Sequence, residues 1–239
     1  MLRQRATLIG VLLVVSCMEA GAEVSVRTDR KGDYVMTQII PSGTASNLRI
    51  WSVVTRTARR KSVALNPQGD ANGDLWPTVA ESPAAPRVPW VVWSRFDGTG
   101  YSLSWSRWSP TGWLDVRGVG PVQTVAGVGD FDPRLAFGSD GRPFLVWSRL
   151  ENGSGAVYVS VFMSSRWSDP LRVSAEGVDA RKPDIDVTGR SLLRVRYETD
   201  AGTLSQVLLF QGPVTITDDI NPQSYIVFKG LPILVKSRF

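Results

Sequence analysis

Apolar and polar residues alternate along this chain in short runs, and Gly, Pro, Asp and Asn separate the runs, which is the pattern of short strands joined by tight turns. The most regular run, Gly141-Arg142-Pro143-Phe144-Leu145-Val146-Trp147-Ser148-Arg149-Leu150, occurs three times. Upstream it is Arg87-Val88-Pro89-Trp90-Val91-Val92-Trp93-Ser94-Arg95-Phe96, and at the C-terminus it is Gly230-Leu231-Pro232-Ile233-Leu234-Val235-Lys236-Ser237-Arg238-Phe239. A second motif precedes it. Gly73-Asp74-Leu75-Trp76-Pro77 returns as Gly129-Asp130-Phe131-Asp132-Pro133, and more faintly around Pro183 and Pro222.

These prolines, Pro77, Pro133, Pro183 and Pro222, stand 56, 50 and 39 residues apart. Each is followed 14 or 16 residues later by Trp93, Trp147, Tyr197 or Lys236. Two strands of constant length therefore open every unit, and a more variable outer half follows. After the second strand come a Gly-rich loop (residues 97–100 or 151–155), a third strand (101–107 or 156–163) and a fourth (from 116, or 170–173). Four strands in a repeat of this length make one blade of a β-propeller, whose faces must be covered by the neighbouring blades.

The predicted fold class is thus all-β, a propeller of four-stranded blades. Residues 23–27, 34–40, 48–54 and 62–65 are predicted as four further strands. The units fall at about 23–72, 73–128, 129–178 and 179–218, with a partial one at 219–239, all in a single domain over 23–239. Because the last copy ends after its second strand, its outer half could come from a partner chain or from residues 48–65, which have the length and pattern of a third and fourth strand. The latter arrangement would pair the two termini and give four to five blades.

Composition supports strands: nine Trp and 22 Gly suit pleated surfaces and tight turns. The chain has no His, which excludes Ser-His and Cys-His nucleophile pairs and His-ligated zinc. Its one Cys, Cys17, excludes an intramolecular disulfide. A net charge of +5 over 239 residues is too mild for a nucleic-acid surface.

Residues 1–22 have the layout of an export signal: Arg3 and Arg5, an apolar run over 6–15, then small residues. Two processing sites compete. Ala20-Gly21-Ala22 fits cleavage after Ala22. Val14-Val15-Ser16-Cys17 resembles the lipobox of bacterial lipoproteins, and the lipidation of Cys17 is the preferred reading. The expected location is the cell envelope or periplasm, with secretion as the other outcome, and any membrane contact is through the lipid.

The series Asp-x-x-Pro-x-Leu-Ala, Gly-x-Pro-x-x-Val-Trp-Ser, Val-Tyr-Val and Trp-Ser-x-Pro over 73–178 resembles the repeats of sialidase-like exported bacterial propellers. Departures from that family bear on activity. Its Asp-box, Ser-x-Asp-x-Gly-x-x-Trp, is not matched, since Ser139-Asp140-Gly141 has the wrong spacing. The resemblance implies the propeller fold, and it offers a glycoside hydrolase or lyase acting on acidic glycans as the enzymatic reading.

The first candidate site is Arg95, Arg149 and Arg238, which hold the same place in the three copies of the core motif. Three guanidinium forks from adjacent blades would suit a carboxylate or sulfate; the competing reading lays each Arg over a Trp or pairs it with a loop acid. A weaker calcium candidate is Asp70, Asn72, Asp74 and Glu81, at positions 1, 3, 5 and 12 of a loop-like stretch in which Leu75 replaces the required Gly. Arg49, Arg56, Arg59, Arg60 and Lys61 form a basic run, read chiefly as a charged edge strand. Trp105, Trp108 and Trp113 are candidate sugar platforms, whereas Trp90, Trp93 and Trp147 are expected in the core. Glu81, Glu151, Glu176 and Glu198 are candidate acids, but Tyr197 and Glu198, as strand neighbours, point to opposite faces. No carboxylate pair can be nominated.

The function expected from these residues is a non-catalytic binding or scaffold module of the envelope. Its partner is an anionic glycan or an envelope protein, with no cofactor and no nucleic acid. The glycoside hydrolase or lyase is the second reading.

Overall fold

The computed structural model describes residues 65, 73–83, 87–96, 98–109, 112–119, 129–163 and 165–210 in full, and the backbone of strands within 24–64 and 233–235. These residues are all-β. Eighteen strands follow in chain order. Sheet I is β1 (Val24–Thr28), β2 (Tyr34–Ser42), β3 (Ala45–Val54) and β4 (Arg59–Ala64). Sheet II is β5 (Asp74–Glu81), β6 (Pro89–Phe96) and β7 (Tyr101–Ser109), with a fourth strand broken into β8 (Gly112–Trp113) and β9 (Arg117–Gly118). Sheet III repeats that plan as β10 (Gly129–Phe137), β11 (Pro143–Glu151), β12 (Ser154–Met163), β13 (Arg166–Trp167) and β14 (Leu171–Arg172). Sheet IV is β15 (Ala180–Thr188), β16 (Leu192–Thr199), β17 (Gly202–Leu209) and β18 (Ile233–Val235).

Each sheet is an antiparallel meander. One parallel bridge, Gly129 to Tyr101, links sheets II and III.

The four-stranded unit read from the sequence is therefore present, but its two ends differ from expectation. Residues 48–65 do not complete a C-terminal unit, because β3 pairs with β2 and β4 inside sheet I. The third copy of the core motif is not a second strand either. Its residues Ile233–Val235 form β18, which pairs antiparallel to β17 as the fourth strand of sheet IV. Residues 233–235 are thus an edge of the fourth unit, and among the described residues sheets I and IV are not joined by strand pairing. The motif misleads because a Pro followed by three apolar residues suits any buried strand, whatever its rank in the meander.

Successive residues of a strand point to opposite faces, so a central strand with both faces covered is apolar at consecutive positions. That is why Trp90 to Trp93 and Phe144 to Trp147 carry no polar residue. Trp90, Val92, Leu103 and Trp105 of sheet II meet Leu135, Leu145, Trp147 and Trp167 of sheet III. On the other face of sheet III, Phe144, Val146, Val157 and Val159 meet Ile185, Leu193, Val195, Tyr197 and Leu208 of sheet IV. Val91 and Trp93 pack on Leu65, which follows sheet I. The sheets come close enough at Gly155 that an added Cβ would lie 2.6 Å from the Ala180 carbonyl oxygen.

Candidate functional site

The first strands of sheets II, III and IV share one irregularity. The pairing register shifts between Leu75 and Thr78, between Phe131 and Arg134, and between Arg181 and Asp184. At each shift the residue before the proline has positive φ: Trp76 at 48°, Asp132 at 49° and Lys182 at 47°. A side chain in the left-handed region costs on the order of 1 to 3 kcal/mol, and such residues cluster at functional sites. Bulges likewise re-aim side chains next to sites. The three prolines are buried, which anchors the bulge while the preceding residue is turned out of the pleat.

β10 lies against both β5 and β15, so the three bulges form a row. An aromatic group occupies one end. The Trp76 ring stands 5.1 Å from Phe131 and 6.1 Å from Tyr101, both edge-on. Tyr101 lies 5.3 Å from Phe131 and 5.2 Å from Phe96. All four rings are partly exposed, unlike the Trp residues of the sheet interfaces. At the other end the Lys182 Nζ donates to Glu198 Oε2 at 2.9 Å, and both side chains are exposed.

Asp132 sits between them, half-buried. Burial pushes its carboxyl above the usual carboxylate range, and the nearby Glu198 charge acts in the same direction, while Arg134 and Lys182 oppose the shift. An aromatic platform, a carboxyl group that holds its proton more readily than an ordinary Asp, and an ion pair are thus aligned on three adjacent strands.

Arg149, nominated from the sequence, is engaged elsewhere. Its Nε donates to Asp130 Oδ1 at 2.7 Å and its second guanidinium nitrogen to Oδ2 at 3.1 Å. Trp147 Nε1 donates to the same Oδ1 at 2.8 Å, and the Arg149 guanidinium lies 4.8 Å from the Tyr158 ring centre. Burial nonetheless pushes Asp130 up, against the Arg149 and Trp147 hydrogen bonds.

In sheet II the arrangement returns: Trp93 Nε1 donates to the buried Asp74 at 2.8 Å, and Arg95 pairs with Asp74 in the strand register. Burial lowers the pKa of Arg95. In sheet IV all three positions change together, to Ala180, Tyr197 and Thr199. An Asp, Trp and Arg that are kept or lost as a set form a structural brace, with the carboxylate supplied from within the sheet. Arg238 lies outside the described residues; the described strand that precedes it in the chain is fourth in its sheet.

Of the calcium candidate, two residues are described. Asp74 and Glu81 stand at the two ends of β5, about 20 Å apart; Asp74 accepts from Trp93 and Glu81 pairs with Arg87 at 3.8 Å. Asp70 and Asn72 lie outside the described residues, as does Cys17. Of the basic run, Arg49 is on β3 and Arg59, Arg60 and Lys61 on β4, the edge strand of sheet I.

Trp105 is core, stacked 5.0 Å from Trp90, and Trp108 meets Trp113 edge-on at 5.8 Å. Among the acids, Glu151 accepts from the Tyr158 hydroxyl at 2.6 Å, Glu176 is exposed, and Glu198 points away from the buried Tyr197. Asp132 was the residue missed. The signal lay in the repeat itself: the position before the proline is Trp in one unit and Asp in the next, although Gly-Asp and an apolar residue precede it in both.

No family model matches the chain, and no curated protein matches it. Among solved structures it is similar to an endo-arabinase from Bacteroides thetaiotaomicron VPI-5482, 14% identical over 81% of this chain and 74% of that one, with a TM-score of 0.49. An alpha-L-arabinofuranosidase from Lactobacillus brevis is 12% identical over 82% and 69%, with a TM-score of 0.46. The polysaccharide lyase Uly1 is 8% identical with a TM-score of 0.37; 76% of this chain is covered, and it spans only 57% of the lyase. All three are glycan-active enzymes by name. At this level of similarity they carry no argument about the present chain, and the site stands on its own geometry.

Proposed function

We propose that this chain is a glycan-directed protein built from propeller-like four-stranded units, and that of the two readings open from the sequence the glycoside hydrolase or lyase is to be preferred over the non-catalytic scaffold. The observation that carries the proposal is Asp132, a half-buried carboxyl with a raised pKa, displayed on a strained bulge beside the partly exposed rings of Trp76, Phe131 and Tyr101. Ring faces bind the apolar faces of sugars, and a Tyr or Trp adds a polar edge.

Cleavage of a glycosidic bond needs a proton delivered to the leaving oxygen, which is the work of a carboxyl group kept protonated by its surroundings, and a second carboxylate in a different environment. Asp132 fits the first role. Glu198, exposed and paired with Lys182, is the carboxylate nearest in kind to the second. An acidic group on the substrate would meet Lys182 and Arg134, because Arg149 is taken by Asp130. Export through residues 1–22, with Cys17 as the lipid-bearing residue, belongs to the same proposal.

The test is turnover of a polysaccharide panel by the purified chain and by Asp132→Asn. Loss of a general acid lowers the rate by roughly 10²-fold or more. With the acid required in its protonated form, the wild-type rate falls as pH rises through the Asp132 pKa. Glycan binding that survives in both proteins without any turnover would return the chain to the scaffold reading.

A further inference from the structure

The repeat register exposes a change in sheet IV that bears on what kind of glycan the bulge row accepts. Positions that face the following sheet are apolar in sheets II and III. Trp90, Val92, Leu103 and Trp105 in sheet II correspond by strand pairing to Phe144, Val146, Val157 and Val159 in sheet III. In sheet IV the same four positions are Arg194, Arg196, Thr203 and Ser205. Ala80 and Ala136 likewise become Asp186, and Ser94 and Ser148 become Glu198.

Arg196 is salt-bridged to Asp184 and, at 2.9 Å, to Asp186. These residues are in water: the side chains of Arg196, Asp184 and Asp186 are 41%, 54% and 57% exposed. A further sheet packed here in the manner of III on II would strip water from these charges while offering them no apolar partner. The outer face of sheet IV is thus a polar cap of the kind that ends a stacked-repeat array.

The bulge row ends on this cap, at Lys182. A pocket that holds only the terminal sugar of a chain needs a wall there, and the wall would be the next sheet. We infer that the ligand is the interior of a polysaccharide, a chain that runs from Trp76 past Asp132 to Lys182 and leaves the site over the polar face of sheet IV. This rests on the glycan reading above and adds to it the substrate class, a polymer engaged along its length.

Calorimetric titration of the full chain with xylan, arabinan and polygalacturonate, each beside its own monosaccharide and oligosaccharides of increasing length, tests the inference. The expected result is affinity that keeps rising with chain length, at least ten-fold from monosaccharide to long oligomer. Lys182→Ala, checked for an unchanged circular dichroism spectrum, should cut the long-chain affinity towards that of the short oligomers. Affinity already complete at a single sugar overturns the inference and leaves the glycan reading in place. Binding of no carbohydrate in the panel overturns both.

Discussion

Two aspartates two residues apart, Asp130 and Asp132, sit in different settings. Asp130 is closed in by Trp147 and Arg149, and its charge is answered on both oxygens. Removing one member of a buried charged pair leaves the other uncompensated, so Asp130→Ala should cost about 3 kcal/mol in denaturant unfolding. The double variant Asp130→Ala with Arg149→Thr copies the pair found in sheet IV and should recover part of that loss.

Asp132 is held above its ordinary pKa by burial, so the fold takes up a proton there that the unfolded chain releases. Its favourable contribution is complete below the unfolded pKa and is lost as pH rises through the folded one. Asp132→Asn is therefore expected to raise the melting temperature at neutral pH and to leave it unchanged in acid. Activity would be lost in the same variant. A residue that lowers stability while serving chemistry has this signature.

At the scale of the strand, the pre-proline bulge joins local strain to the proposed site. Trp76, Asp132 and Lys182 each occupy a backbone region that L residues avoid. Lys182→Gly relieves that strain and gives up only an exposed ion pair, which is worth little. Its unfolding free energy should match or exceed that of the parent. Lys182→Val places a β-branched side chain at positive φ and should lose roughly 1 to 2 kcal/mol. If valine were tolerated as well as glycine, the bulge would not be a strained feature in solution. The fourth strands are broken in sheets II and III, into β8 with β9 and β13 with β14, so the constancy lies in the first two strands, where the bulge sits.

For the whole molecule, stability comes from sheet faces laid on one another, and among the described residues the outer face of sheet IV departs from this. Arg194→Phe with Arg196→Val restores the side chains that sheet III carries at the same positions. The variant should fold, since it only extends an existing pattern, but it would expose an apolar patch and self-associate. Light scattering of the variant against the parent reads this directly; a monodisperse, monomeric variant would mean that the face is already covered in solution.

The sequence by itself determined the strand pattern, the repeat and the four-stranded meander, because period-two burial and turn residues are local and recur in each unit. It also placed Trp90, Trp93 and Trp147 in the core, and it stated the opposition of Tyr197 and Glu198, which follows from strand geometry alone. Tertiary structure decided the rank of each strand and the partners of each charge. Ile233–Val235 carries a second-strand motif yet fills a fourth-strand place, since pairing with β17 depends on what lies alongside. Arg149 was open to a ligand or to an acid and a Trp of its own chain, and Asp130 opposite it settles the second; Asp132 was one letter of a repeated motif, and the bulge sets it apart. Both depend on register across a hairpin, which residue order does not reveal.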